Sequence, residues 1–248
     1  MLCLAEVGAF DQAAAHGEAA LRIAQSLDRP FQLSSTWLTM GRVLLRKGDF
    51  DRAVPLLERG LSGCITANIP VLYPFCASPL GAAYARLGRL SEALPLLEQS
   101  LERAVGMRQM VNHSLYCYWL SQALLLAQRV DDARNLAGRA LECSMAYKER
   151  GNQAWILRLL GDIYTKTGAR VQAETYYRQS LRLAEEMEMR PLAARCHLSL
   201  GEYFLQQDRE LEARDSLLTA QRLAREMEMT FWAHQAESLS QGIRARSS

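Results

Sequence analysis

An all-α array of stacked helix pairs is the fold class this sequence predicts, and three features predict it. Small residues recur at one spacing: Gly41, Gly81, Ser121, Gly161 and Gly201 lie 40 residues apart with no insertion between them. An alanine column, Ala13, Ala53, Ala93, Ala133, Ala173 and Ala213, keeps the same register. Within each period, apolar residues fall at helical spacing twice, with a turn between the two series. A fixed period of about 20 to 50 residues marks an architecture in which each unit buries its apolar face against its neighbours.

Composition agrees with a folded chain. Of the 248 residues, 49% are apolar and 23% charged, far from the low-hydrophobicity, high-charge balance of disorder. An array grows in length without one central core, so residues 1–248 are expected to form a single repeat domain. The 29 basic against 27 acidic residues leave a net charge of +2, without the concentrated basic character of a nucleic-acid binder. Nucleic acid is therefore not an expected partner. Six cysteines, Cys3, Cys64, Cys76, Cys117, Cys143 and Cys196, form no C-x-x-C pair and mostly fall on or beside apolar helical positions, as reduced thiols do. The first residues, MLCLAEVGAF, lack a basic lead-in, and the longest apolar run, about Tyr116 to Ala127, is too short to span a bilayer. A cytoplasmic protein without a membrane partner is the expectation.

The elements follow in order. Met1 aligns with the Gly41 column, so the first repeat, about 1–29, begins halfway through its first helix; the expectation is that the chain is the tail of a longer protein. In the repeat 30–69, Trp37, Met40, Leu44 and Leu45 mark a first helix, and Phe50, Ala53, Leu57, Leu61 and Cys64 mark a second. Gly48 suits the reversal between them because it tolerates positive φ, and Asp49 is placed to cap the second helix. The turn glycine recurs at Gly8, Gly88 and Gly168 but is replaced by Gln128 and Asp208, so those turns need another solution. Repeats 70–109, 110–149, 150–189 and 190–229 follow, separated near Pro70, Gly151 and Pro191, with Pro30 opening the first complete one. Pro79 falls inside a first helix, where a bend or a helix restarting at Ser78 is expected. A last helix, about 230–246, turns Trp232, Ala236 and Leu239 inward and His234, Glu237, Gln241 and Arg244 outward as a cap.

The order L-G-x-x-Y, then Gly, then Ala, then a small residue followed by Leu, as in Leu160 to Leu181, resembles the tetratricopeptide repeat, in a form with 40 residues per repeat. The resemblance implies a right-handed superhelix, an α-solenoid, of about five to six helix pairs. Met189 to Gly201 and Met227 to Glu237 further resemble the repeat tail of bacterial signalling proteins in which adenylate or guanylate cyclase-like and ATPase domains precede the repeats. Any enzymatic residues would then lie in upstream domains of a longer chain.

No catalytic constellation is legible. His16, His113, His197 and His234 are scattered, and no H-E-x-x-H, G-x-S-x-G or phosphate-cradling loop occurs. His113 and Cys117 share a helix face, but two ligands do not make a zinc site. The chain is thus expected to be no enzyme and to need no cofactor or metal. The resemblance implies instead that first helices line a concave groove taking a protein or peptide. The residues one step round from the core stripe there are Arg42 and Arg46; Phe75 and Arg86; Tyr118 and Gln122; Trp155, Arg158, Asp162 and Lys166; Arg195 and Glu202. Arginines beside aromatic residues are what interface hot spots contain. In relatives that grip chaperone C-terminal carboxylates an asparagine column is used; Arg42, Ala82, Gln122, Asp162 and Glu202 stand there instead, which argues against that ligand. The leading functional expectation is a non-catalytic interaction or scaffold module at the C-terminal end of a larger bacterial signalling protein. Its rival is a sensor that binds a small effector or peptide and regulates an attached cyclase, ATPase or transcription-regulator domain.

Overall fold

The computed structural model describes residues 1–27 and 29–246, the last four by backbone alone, so the Arg244 side chain lies outside the described residues. Among these, thirteen α-helices and one 3₁₀ turn account for the regular structure and no strand occurs. Two compact units are distinguished. One comprises Met1–Ala5 and Ala9–Cys143; the other comprises Glu6–Gly8 and the chain from Ser144 onward.

The first unit holds α2 (Phe10–Leu27), α3 (Pro30–Lys47), α4 (Phe50–Thr66), α5 (Tyr73–Arg86), α6 (Leu90–Gly106), α7 (His113–Leu126) and most of α8 (Val130–Ala146). The short α1 (Leu2–Val7) stands at the N-terminus. Helices pair in sequence, α3 with α4 and α5 with α6, and the first helices α3, α5 and α7 also touch successively. The second unit repeats this scheme in α9 (Arg150–Lys166), α10 (Arg170–Glu186), α11 (Arg190–Leu205), α12 (Glu210–Glu226) and α13 (Thr230–Arg246): α9 pairs with α10 and α11 with α12, while α11 touches both α9 and α13.

The small-residue column is explained by what faces it. A Cβ on Gly41 would lie 2.5 Å from Leu57, one on Gly81 2.6 Å from Leu97, one on Gly161 2.4 Å from Tyr177 and one on Gly201 2.6 Å from Leu217. Where the column reads Ser121, the facing position reads Ala137; both are fully buried, and Ser121 Oγ donates to the Ala133 carbonyl at 2.7 Å. A side chain gained on one helix is matched by side chain lost on the other, as close packing requires.

The two turns that lack glycine find their own solution, and one expected cap does not form. Gln128 and Asp208, lacking glycine, adopt the left-handed conformation themselves, with φ of 61° and 57°, and so do Asn68, Arg108, Lys148, Glu188 and Glu228 between repeats. Asp49 does not cap α4; its carboxylate accepts from Arg52 Nη1 at 3.1 Å, because the i+3 guanidinium competes successfully for it. Ser78 is likewise not a restart cap. Helix α5 continues from Tyr73 through Pro79 to Arg86, and Ser78 Oγ shares a 2.5 Å hydrogen bond with Ser100 Oγ, which also donates to the Pro74 carbonyl.

Candidate functional site

The first helices of the first unit carry cationic and aromatic residues together. Arg42, Arg46 and Arg86, with Phe75, are half-buried, so part of each side chain reaches solvent. Arg42 stands on α3, yet its guanidinium lies 5.7 Å from the ring centroid of Trp119 on α7, two repeats further along the chain. Phe75 meets Tyr116 edge-to-face at 6.0 Å. Beneath this layer Tyr118 and Gln122 are buried, joined by a 3.2 Å bond from Gln122 Nε2 to the Tyr118 hydroxyl. The aromatic face anchors the guanidinium that lies over it.

The second unit is organised differently. Arg158, only 2% exposed, donates from Nη1 to Asp162 Oδ2 at 2.7 Å and to Ser199 Oγ at 3.2 Å; Ser199 Oγ donates in turn to Asp162 Oδ1 at 3.1 Å. The Tyr177 hydroxyl donates to the same Oδ1 at 3.0 Å. Burial, and after it the Asp162 carboxylate, push the Tyr177 phenol well above its ordinary pKa, so it stays a donor. Three helices, α9, α10 and α11, are thereby tied through one carboxylate. One turn along α11, Arg195 stacks 3.4 Å from the Trp232 ring centroid. Glu202 accepts from Gln235 at 2.8 Å, and burial first and Asp162 second hold its carboxyl above the usual range, against Gln235, Arg195 and Arg158. Glu202 also lines a cavity of about 540 Å³ together with Gln206, Asp208, Glu210, Ser238 and Leu239.

Of the twelve residues expected on a groove, five are closed off instead: Tyr118, Gln122, Trp155, Arg158 and Arg195 are all less than 9% exposed. The reason is tertiary. Within the second unit α11 lies against both α9 and α13, so Arg158 meets Ser199 of α11 and Arg195 meets Trp232 of α13. Trp155 donates from Nε1 to Glu6 Oε2 at 3.1 Å, within the second unit. Asp162 and Glu202 keep partial access and Lys166 is exposed. Trp119, Ser199, Tyr177 and Trp232 were not among the expected groove residues, and Ser199, one of three polar residues with Arg195 and His197 in Leu192–Leu200, carries no signal of its own. Cys117 Sγ lies 3.7 Å from His113 Nε2, and among the described residues no group of three or more His, Cys, Asp or Glu is placed to hold a metal. No helix there is long and apolar enough to cross a membrane.

Family models described as tetratricopeptide repeat match residues 36–64, 76–105, 113–186 and 156–227, which together span most of the chain. The chain belongs to the tetratricopeptide-repeat family. Its α-solenoid class is shared by several solved structures. A Rap protein complexed with Competence and Sporulation Factor is 15% identical, with a TM-score of 0.69, over 97% of this tetratricopeptide-repeat chain and 71% of the other. BtubC from P. vanneervenii is 16% identical, with a TM-score of 0.61, over 89% and 92%. A signal transduction ATPase with numerous domains and a tetratricopeptide-repeat sensor, from Pyrococcus horikoshii, is 18% identical, with a TM-score of 0.59, over 88% of this chain but 35% of that one. At such identities the likeness establishes the tetratricopeptide-repeat fold alone. No curated protein matches the chain.

Proposed function

We propose that this tetratricopeptide-repeat chain is a non-catalytic protein-interaction module, the C-terminal regulatory repeat region of a larger cytoplasmic bacterial signalling protein. A peptide or protein segment docks on the first helices of the first unit. The observation carrying this reading is the Arg42 guanidinium held over Trp119 beside half-buried Arg46, Arg86 and Phe75. That is an arginine–aromatic set of the type that dominates binding energy at interfaces. Support for a signalling context comes from a fold neighbour that is a signal transduction ATPase with a tetratricopeptide-repeat sensor, and for a bound partner from the Rap protein complexed with Competence and Sporulation Factor. Affinity capture on the wild-type chain and on an Arg42→Ala, Arg46→Ala, Arg86→Ala variant of unchanged helicity tests it. The variant is expected to lose specific partners; identical partner sets would remove this face as the site. Arg158 is no probe of this face, because it is buried against Asp162 and its removal would destabilise the second unit.

A second reading is favoured by the 540 Å³ cavity against Glu202. There the second unit senses a small effector or peptide bearing a cationic group and regulates an attached cyclase, ATPase or transcription-regulator domain. Ligand-dependent thermal stabilisation, lost in Glu202→Gln, separates this reading from the first.

A further inference from the structure

Where one repeat of the second unit passes to the next, the corner is closed by charge. Arg150 Nη2 meets Glu186 Oε2 at 2.5 Å, and one period later Arg190 Nη2 meets Glu226 Oε2 at 2.5 Å. The left-handed turn residues at these corners are Glu188 and Glu228. Two periods earlier, in the first unit, the positions of these pairs read Pro70 and Gly106, and Met110 replaces the second arginine. Ion pairing at this corner is therefore absent by sequence, and apolar side chains stand in the open there. Ile65, Val71, Val105, Met107, Met110 and Val111 are all exposed, Val111 to 66% and Met107, the least so, to 40%.

These residues form one surface across two successive turns. Gln109 Nε2 donates to the Val71 carbonyl at 3.3 Å, Tyr73 bonds to Gln99, and the Arg103 guanidinium stacks 3.9 Å from the Tyr73 ring centroid. Its charge is predominantly positive, with Glu102 near the end of α6 at the position that Arg182 and Arg222 fill in the second unit. Between Arg59 and Tyr73 and between Arg103 and His113 there are three arginines, Arg59, Arg103 and Arg108, and no carboxylate. Among the described residues none of the three has a carboxylate partner, whereas Arg150 and Arg190 at the equivalent corners of the second unit do. The fold itself does not demand exposed apolar residues here, since the second unit builds the same corner with ion pairs.

We infer that this corner is a second docking surface, distinct from the arginine–aromatic face, and that its occupant is an acidic amphipathic helix of a partner protein. Methionine and valine side chains adapt to an apolar helix stripe, and the arginines match carboxylates on the flanking face. An anionic membrane is the lesser fit: polybasic membrane contacts gather about four to eight Lys or Arg, and this surface has three.

The test uses the full chain and a fluorescent designed peptide with leucines at i, i+3, i+4 and i+7 and glutamates elsewhere, read by anisotropy. A peptide of the same apolar pattern with lysines in place of glutamates is the control. The acidic probe is expected to bind, the basic one roughly tenfold or more weakly, and Val105→Ser with Met110→Ser, or Arg103→Glu with Arg108→Glu, to weaken the acidic probe roughly tenfold. The Arg42→Ala, Arg46→Ala, Arg86→Ala variant is expected to bind it unchanged, which keeps this surface separable from the other. No binding of the acidic probe, equal binding of both probes, or loss in the triple variant alone each overturns the inference. So does sedimentation with phosphatidylserine vesicles that Arg103→Glu with Arg108→Glu abolishes while the probe fails to bind.

Discussion

The exchange of Gly and Leu for Ser121 and Ala137 predicts a strong coupling between two positions sixteen residues apart. Consider Ala137→Leu. At the other four copies a Cβ on the glycine would lie 2.4 to 2.6 Å from the facing side chain, and Ser121 already carries that atom. A leucine at 137 in the rotamer of its counterparts therefore collides with Ser121, and overpacking of this kind costs about 1–3 kcal/mol. Ser121→Gly alone forfeits a buried hydroxyl bond, about 1 kcal/mol, and gains backbone freedom in the unfolded chain, about 0.5 kcal/mol more. In the double variant the collision is gone, and about three added carbons are buried at about 0.8 kcal/mol each. It should be close to wild type in stability. The coupling energy is then about 3 kcal/mol, read as a double-mutant cycle by urea denaturation followed by far-ultraviolet circular dichroism. Additivity within about 0.5 kcal/mol would refute the claim that residue 137 faces residue 121 as Leu97 faces Gly81.

Two further outcomes follow from the turns and from Glu202. Gln128→Gly relieves a side chain held at a φ of 61° and should stabilise by about 0.5–1 kcal/mol after the unfolded-state entropy of glycine is counted, while Gly168→Gln should lose a similar amount, both visible as Tm shifts of a few degrees. Glu202 has a folded pKa raised above the usual carboxylate value, so its neutral form favours the fold: stability is highest below that value and falls as pH rises through the folded pKa. Glu202→Gln should flatten this part of the Tm–pH profile, and parallel wild-type and variant profiles would show that Glu202 is not the group responsible.

Much of the architecture was legible because it is written as repetition. The Gly41 and Ala53 columns placed each close helix contact, and Gly8, Gly48, Gly88 and Gly168, all with positive φ, placed four turns. The candidate sites were less legible. Arg42 and Arg158 look alike along the sequence, each one step from a core stripe, yet Arg42 reaches across to Trp119 and keeps solvent access while Arg158 is enclosed by Asp162 and Ser199. That difference depends on residues one or two repeats away.

The sequence by itself determined the period, the helix pairing, the family and the residues that pack within a pair, because those are local relations repeated at a constant offset. Only the tertiary structure decided which first-helix positions stay open, that Gln128 and Asp208 take up the left-handed turn without glycine, and that the apolar residues at the first unit's corner stand exposed. Exposure and pairing are set by what neighbouring repeats bring to a position, and a period counts neighbours without saying which of their side chains arrive.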